Sequence, residues 1–251
     1  SGAGMFEHPR LRAVICNSKM VATEILKHFS IRPEKLHVIY SGVDLDYFHP
    51  GQRIAMRPAA RRELGCPDSD AVFGFVGSGF ARKGLAAAIA ALAATGRQDL
   101  RLLVAGTDRA QAKFSAQARS AGIGDRVAFL GGLEDVRSIY AASDCFILPT
   151  RYDPFPNAAL EALAMGLPAI VSDQCGAAEL IRPGLNGWVC KADSIAPLAD
   201  LMVEAASAAG GPMEGVARHT AEKFGIDKMA DRMSALYAEL LGRPKDAQIG
   251  S

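Results

Sequence analysis

The sequence has few of the features that mark secreted, membrane-spanning or nucleic-acid-binding proteins. Its five cysteines are odd in number and none forms a CxxC pair, which argues against a disulfide framework and favours a reducing cytosol. The longest nearly apolar run, residues 84–96, is too short and too rich in alanine to span a bilayer, and we expect no signal peptide. A net charge of +1 gives no overall field that would attract nucleic acid. We therefore expect a cytoplasmic protein without a nucleic-acid partner.

Two common catalytic signatures are also absent. The five histidines show no ligand spacing, so we expect no metal site made by the protein and no cofactor that depends on one. No serine lies in a GxSxG motif, which argues against a hydrolase of that type.

What the sequence does contain is a regular alternation of short apolar runs and helical stretches from Ala71 onward. Hydrophobic residues make up 49% of the 251 residues and charged residues 22%, enough for a substantial core. Six runs are predicted as strands: VFGFVG, RLLVAG, VAFLGG, CFILPT, PAIVS and GWVC. Helices are predicted near 84–94, 109–121, 134–142, 157–166, 176–182, 194–208, 213–223 and 226–241. This pattern predicts an α/β fold with a doubly wound parallel sheet, whose ligand lies outside the carboxyl ends of the strands.

The segment before Ala71 is predicted to belong to another unit. Residues 11–49 contain one strand–helix–strand pattern, too small to bury both faces of a sheet by itself. Residues 50–70 combine prolines with four arginines at 53, 57, 61 and 62, which we interpret as a solvated linker or helix face rather than a membrane or phosphate patch. We therefore predict the last βαβ unit of one domain (11–49), a linker (50–70), a complete domain (71–225) and a final helix (226–242) with one buried apolar face. Residues 1–10 are interpreted as a tag or disordered segment, and 243–251 as a tail.

The first strand of the complete domain ends in the glycine-rich segment GSGFARKG, from Gly77 to Gly84. Glycines such as Gly77 and Gly79 let the backbone approach a ligand closely, and the adjacent cations Arg82 and Lys83 supply local positive charge for an anion. The segment is neither a GxxxxGK[ST] phosphate loop nor a complete GxGxxG fingerprint. A purely structural turn therefore stays open as an alternative.

A second segment, RYDPFPNAALEALAMGLPAIVS, sets Asp153 before a helix and Glu161 within it. Asn157 is predicted as the N-cap, with Ala158 as the first helical residue, so the positive end of the helix dipole faces the strand edge. Glu161 lies one turn further on and could accept hydrogen bonds from the two hydroxyls of a ribose, and Asp153 from those of a sugar. A nucleoside diphosphate sugar would use all of these groups. Alternatively, Glu161 is a solvated helix residue and Asp153 forms a turn. Glu179 and Trp188 are both predicted to be structural.

Several ordered motifs together resemble the retaining GT-B glycosyltransferases of the family 4 type. The segment around Asp153 and Glu161 resembles their E-x7-E motif, and GSGFARKG resembles the diphosphate loop of bacterial lipopolysaccharide core glucosyltransferases. VIYSGVDLDYFHP is similar to the interdomain segment of that family, and the sequence after Gly184 is similar to its closing strand and final helices. The resemblance covers about residues 11–242 and implies a Rossmann-like C-terminal domain with a short βαβ remnant of the N-terminal domain.

The resemblance also implies a role for each motif residue. Arg82 and Lys83 would neutralise the donor diphosphate, Asp153 would contact the transferred sugar, and Glu161 would hold the ribose. The remaining donor contacts would come from Gly77, Gly79 and the backbone around Phe155, Asn157 and Ala158. Such enzymes use a nucleoside diphosphate sugar, here expected to be UDP-linked, without a metal or another cofactor. The acceptor would be a lipopolysaccharide or another envelope glycan, free or lipid-linked.

Three features depart from that pattern. Asp153 is one methylene shorter than the usual glutamate, and Pro156 replaces a glycine and so removes one N–H donor. Most of the N-terminal, acceptor-binding domain is absent from this sequence, so we expect the fragment to be inactive and to self-associate. The full-length protein is expected in the cytoplasm, peripheral at the inner membrane. Two alternatives remain: a nucleotide-sugar-binding module that acts only with a partner chain, and a GT-B-fold epimerase.

Overall fold

A computed structural model describes residues 3–242 of the chain. Its centre is a parallel six-stranded sheet in the order β5-β4-β3-β6-β7-β8. The strands are β3 (Ala71–Val76), β4 (Leu100–Ala105), β5 (Val127–Gly131), β6 (Cys145–Leu148), β7 (Ala169–Ser172) and β8 (Gly187–Cys190). Each predicted apolar run is thus a strand, and the predicted doubly wound parallel sheet is confirmed. Every residue of β6 and β7 is buried, as continuous apolar runs in a covered sheet require.

The helices lie between and around these strands. Among residues 3–242 they are α1 (Ala3–Phe6), α2 (Lys19–His28), α3 (Pro50–Glu63), α4 (Leu85–Ala94), α5 (Gln111–Ser120), α6 (Arg137–Ala142), α7 (Asn157–Ala164), α8 (Ile195–Ser207), α9 (Met213–Ala221) and α10 (Ile226–Leu240). Residues 176–182, predicted as a helix, instead form a 3-10 turn at Gly176–Leu180. Asn157 is the first residue of α7 and not its N-cap, because Pro156 takes that position.

The sheet has its topological switch between β3 and β6. The chain runs outward from β3 through β4 to β5, returns to β6 on the other side of β3, and continues through β7 to β8. The loops that leave β3 and β6 therefore diverge at the carboxyl edge of the sheet and open a crevice. Residues 77–84 and 149–156 are these two loops; the first is the glycine-rich segment, and the second contains Asp153 and leads into α7, which contains Glu161.

A second, smaller sheet precedes the main one. Strands β1 (Val14–Cys16) and β2 (Leu36–Val38) are parallel and are connected through α2, as the predicted βαβ unit requires. Helix α10 returns to this unit, where the Gly42 N–H lies 3.1 Å from the Met229 sulfur. The predicted buried face of α10 is wrong in extent: Leu236 is its one buried residue, whereas Tyr237 and Leu241 are 53% and 67% exposed.

The arginine-rich segment 50–70 is not an irregular linker, because most of it forms α3 along α6. Arg53 and Arg61 are buried, so their interpretation as solvated charges is wrong. The Arg61 guanidinium lies 2.6 Å from Asp144 Oδ2, and Arg57 lies 2.5 Å from the other oxygen of that carboxylate. Asp144 directly precedes β6 and also accepts the Val72 N–H at 2.8 Å. These contacts attach α3 to the amino edge of the sheet.

Further expectations fall at the ends of the chain and at the cysteines. Residues 1–10 were predicted to be a tag or disordered, but residues 3–6 form α1, and the Phe6 ring lies 4.5 Å from the Phe29 ring. The predicted tail 243–251 lies outside the described residues.

All five cysteines are buried free thiols. None of the helices between residues 3 and 242 is long and apolar enough to cross a membrane.

Candidate functional site

A cavity of about 680 Å³ opens where the loops after β3 and β6 meet. Its volume is in the range of small-molecule sites. Five residues predicted from the sequence line it: Arg82, Lys83, Asp153, Phe155 and Asn157. The other lining residues are Asn17, Ser41, Tyr152, Pro154 and Pro156. Gly77, Gly79, Ala158 and Glu161 are not part of the lining, so their predicted ligand contacts remain predictions.

The glycine-rich loop is anchored by one aromatic side chain. Phe80 is fully buried and packs against the rings of Phe75 and Phe114, and its N–H donates to Asp108 Oδ2 at 2.7 Å. Gly77 and Gly79 have φ angles of 147° and 76°, which residues with a side chain rarely adopt. The loop is thus fixed at its centre, and Arg82 and Lys83 follow directly after the anchor.

The two loops are held together by backbone contacts. The Arg82 carbonyl accepts the Arg151 N–H at 2.8 Å and the Thr150 hydroxyl at 2.9 Å. A Cβ at Gly84 would lie 1.9 Å from the Pro149 carbonyl oxygen, so only glycine permits this approach. The cations of one loop therefore have a fixed position relative to the carboxylate of the other.

The charged groups at the centre of the cavity are already paired. Asp153 is buried, and its Oδ2 accepts a hydrogen bond from the Lys83 ammonium. The Arg82 guanidinium lies 3.7 Å from the same oxygen, donates to the Tyr152 carbonyl at 2.8 Å, and is half exposed. Two cations share one carboxylate, which leaves a net positive charge facing the cavity. An anion entering there would compete with Asp153 for Lys83 and find Arg82 accessible.

The segment that carries Asp153 is built into the sheet edge. The Asp153 N–H donates to Gln174, and the Asp153 carbonyl accepts the Gly176 N–H at 2.8 Å. Beyond it, α7 begins at Asn157, and the first backbone N–H groups of an α-helix have no partner within the helix. The start of α7 therefore presents donors beside the two cations, where an anionic group is favoured.

Glu161 lies one turn into α7 in a half-buried setting. One of its oxygens accepts the hydroxyl of the fully buried Tyr140 at 2.8 Å, so the side chain is not the solvated helix residue of the alternative interpretation. Burial raises the pKa of the Glu161 carboxyl above its ordinary value, and the Tyr140 hydrogen bond opposes part of that rise. The second oxygen has no protein hydrogen-bond partner within the described part of the chain.

The βαβ unit of residues 11–49 contributes one wall of the cavity through Asn17 and Ser41. Sequence reasoning missed both residues, although each follows the carboxyl end of a parallel strand. Glu179, predicted to be structural, attaches this unit: its carboxylate accepts the N–H groups of Lys19 and Met20 at 3.1 and 2.7 Å and the Tyr40 hydroxyl at 2.6 Å. Trp188 is buried and donates to Glu204, as expected of a packing residue.

Metal binding by the protein itself has no obvious location among the described side chains. Within residues 3–242, no group of three or more His, Cys, Asp or Glu side chains is arranged to hold an ion. The cations that face the cavity are instead an arginine and a lysine.

Comparison with known families agrees with the fold and with the position of the motifs. The model of the glycosyl transferases group 1 matches residues 56–215, more than half of the chain, and the glycosyltransferase family 4 model matches residues 3–47. The chain therefore belongs to the group 1 glycosyltransferases, which have the GT-B fold. The second match begins at residue 3 and so includes part of the segment that was interpreted as a tag.

Individual relatives are similar over most of this chain. A D-inositol 3-phosphate glycosyltransferase of Mycobacterium tuberculosis is 29% identical over 241 residues, which are 91% of this chain and 49% of the relative. The crystal structure of WaaG, a glycosyltransferase involved in lipopolysaccharide biosynthesis, superimposes with a TM-score of 0.81 at 26% identity, covering 92% of this chain and 64% of WaaG. Anabaena HepE in complex with UDP-glucose gives a TM-score of 0.79 at 22% identity, over 91% and 64% of the two chains. The chain spans between about half and three fifths of the length of the curated relatives that it matches.

Proposed function

We propose that residues 11–242 form the donor-binding part of a retaining, metal-independent hexosyltransferase that uses a UDP-linked sugar. One observation carries this proposal: Arg82, Lys83, Asp153 and the start of α7 meet in one cavity at the switch point of the sheet. Cations and helix N–H groups suit a diphosphate, whereas a carboxylate suits the hydroxyl groups of a sugar.

The three parts of the donor have separate partners in this proposal. The diphosphate binds Arg82 and Lys83, which also stabilise it as the leaving group when the glycosidic bond to the sugar breaks. The ribose hydroxyls donate to the free oxygen of Glu161, whose other oxygen is held by Tyr140. The transferred hexose lies beside Asp153. Because Asp153 pairs with Lys83 in the ligand-free protein, the diphosphate must take over Lys83 as it binds.

The finer assignments draw on the relatives. HepE has been crystallised with UDP-glucose, which supports a UDP-linked hexose as donor here. WaaG takes part in lipopolysaccharide biosynthesis, which supports an envelope glycan, free or lipid-linked, as acceptor. We assign the full-length enzyme to the cytoplasm, peripheral at the inner membrane, where such an acceptor would be available. Metal independence follows from the counter-charge that Arg82 and Lys83 already provide for the diphosphate.

A transferase requires an acceptor hydroxyl held near the anomeric carbon of the donor, and this positioning supplies much of the rate. The βαβ unit of residues 11–49 offers two three-residue strands and one ten-residue helix for that purpose. The 251-residue chain is therefore expected to bind donor and to support no more than slow hydrolysis. Transfer would require a more complete acceptor domain.

Titration calorimetry with UDP, UDP-glucose, UDP-galactose and uridine tests the proposal. We expect the three diphosphates to bind much more tightly than uridine, with the difference reduced at least tenfold in Lys83→Ala. Equal binding of uridine and UDP would contradict a diphosphate site at Lys83. If the chain binds UDP but only a partner chain restores transfer, the binding-module alternative gains support.

A further inference from the structure

Two polar side chains in the cavity belong to neither of the donor motifs. Asn17 and Ser41 come from the βαβ unit of residues 11–49, yet they line the same cavity as Arg82, Lys83 and Asp153. Asn17 directly follows β1, and Ser41 lies three residues after β2. Both therefore lie beyond the carboxyl ends of parallel strands, which is where open α/β sheets bind ligands.

The neighbours of these two residues along the chain are all engaged in packing or hydrogen bonds. Ser18 is fully buried and caps α2 through the Val21 N–H at 3.2 Å, while the Tyr40 hydroxyl binds Glu179. The side chains of Asn17 and Ser41, in contrast, form no hydrogen bond to any residue from 3 to 242, although both are half-buried. Polar groups placed in a cavity without a protein partner are available to a ligand.

Close packing fixes where these side chains lie. A Cβ at Gly176 would lie 2.9 Å from Ser18 Cβ and 1.7 Å from the Pro154 carbonyl oxygen, so β1, the loop after β6 and the 3-10 turn meet without space between them. A Cβ at Gly42 would lie 2.6 Å from the Cα of Ile226 at the start of α10. Asn17 and Ser41 are each adjacent to one of these tight contacts. The position of Asn17 relative to Asp153 is therefore set by close packing, and Ser41 is held beside the start of α10.

The chemistry of this wall differs from that of the cation side. An amide offers both donors and an acceptor and a hydroxyl offers one of each, and neither carries a charge. Such a wall lacks the positive charge that favours a phosphate over a neutral group, and it matches the alternating donors and acceptors of sugar hydroxyls. We propose that Asn17 and Ser41 bind hydroxyl groups of the hexose that is transferred and so set which hexose the site prefers; this rests on the proposed function of the cavity.

The test compares UDP with UDP-hexoses, because the nucleotide alone does not reach the proposed contacts. We expect Asn17→Ala and Ser41→Ala each to lower the affinity for UDP-glucose or UDP-galactose about three- to tenfold, which corresponds to the loss of one neutral hydrogen bond. The affinity for UDP should stay unchanged. Lys27→Ala, an exposed change on α2 of the same unit, is the matched control and should alter neither affinity.

The possible outcomes separate this inference from the function on which it rests. If the unmodified chain binds neither UDP nor UDP-hexoses, the proposed function fails and the inference fails with it. If UDP and UDP-hexose lose affinity equally in Asn17→Ala, the side chain supports the fold of the site and does not contact the sugar. If UDP binds and the alanine variants leave all UDP-hexose affinities unchanged, the proposal is wrong even though the donor site stands.

Discussion

Replacement of Lys83 by alanine gives the sharpest prediction about the cavity. The ammonium binds the buried carboxylate of Asp153 in the ligand-free protein, and in the proposed complex it binds the diphosphate. A charge-assisted hydrogen bond contributes about 1.5–3 kcal/mol, or roughly 10- to 150-fold in affinity. Because the existing pair with Asp153 must be given up first, we expect the lower part of that range. Lys83→Ala should therefore weaken UDP at least tenfold and uridine far less.

The assay is titration calorimetry at low salt, repeated at higher salt because exposed charges are screened. Arg82→Ala should also lower the affinity for UDP at least tenfold. This loss should depend more strongly on salt than that of Lys83→Ala, because the Arg82 guanidinium is half exposed. Arg109→Ala removes an exposed cation that does not line the cavity, and it should change the UDP affinity less than twofold. Equal losses for UDP and uridine in Lys83→Ala would mean that the residue acts through folding. An unchanged UDP affinity would refute the diphosphate site.

Three further predictions concern the ribose contact, the buried charges and catalysis. Glu161→Gln should weaken the binding of UDP but not of its 2′,3′-dideoxy analogue, which already binds weakly. Because burial raises the pKa of the Glu161 carboxyl, the affinity for UDP should rise with pH through a value above the pKa of an ordinary glutamate. A difference in affinity between the two ligands that does not change with pH would count against the contact. Asp144→Ala leaves the buried guanidinium of Arg61 without its carboxylate and should lower the free energy of unfolding by about 3–5 kcal/mol in urea denaturation. Asp99→Ala, the matched change at the more exposed Arg97–Asp99 pair, should lower the free energy of unfolding much less. Equal losses in the two variants would contradict the claim that the Asp144 ion pairs attach α3 to the sheet. The chain should show only slow hydrolysis of UDP-glucose, and measurable transfer to an acceptor would contradict this. It should also self-associate through the unit of residues 11–49, and a strictly monomeric chain in light scattering would contradict that.

Most of the main sheet could be predicted from the sequence because its strands are buried on both faces. Runs such as CFIL and AIVS have no polar alternation, and strands of a parallel sheet that is covered on both faces have this composition. Lys83 and Asp153 were also expected in one site, since both follow strands at the same edge. Their mutual ion pair was not expected, because composition does not reveal which side chains seventy residues apart will meet.

The failures have a common physical cause. Arg53 and Arg61 were interpreted as solvated because a run of arginines usually faces solvent. Arg61 is instead buried, and its guanidinium pairs with the carboxylate of Asp144, 83 residues further along the chain. Asn17 and Ser41 carry no motif, and they lie beside two close contacts between distant parts of the chain, at Gly176 and Gly42, that the sequence pattern does not reveal. The apolar face predicted for α10 follows helical spacing, yet most of its residues remain accessible, since spacing alone does not supply a partner surface.

The melting temperature of the 251-residue chain as a function of UDP concentration, measured in a chelator, tests the central claim most directly. A ligand at one hundred times its Kd stabilises the folded state by about 2.7 kcal/mol, which raises the melting temperature of a chain of this size by roughly 5–10 °C. We predict such a rise with UDP and UDP-glucose, unaffected by the chelator and reduced to about half or less by Lys83→Ala at the same UDP concentration. No shift at millimolar UDP, or a shift that appears only when magnesium or manganese is restored, would contradict a donor site built on Arg82 and Lys83.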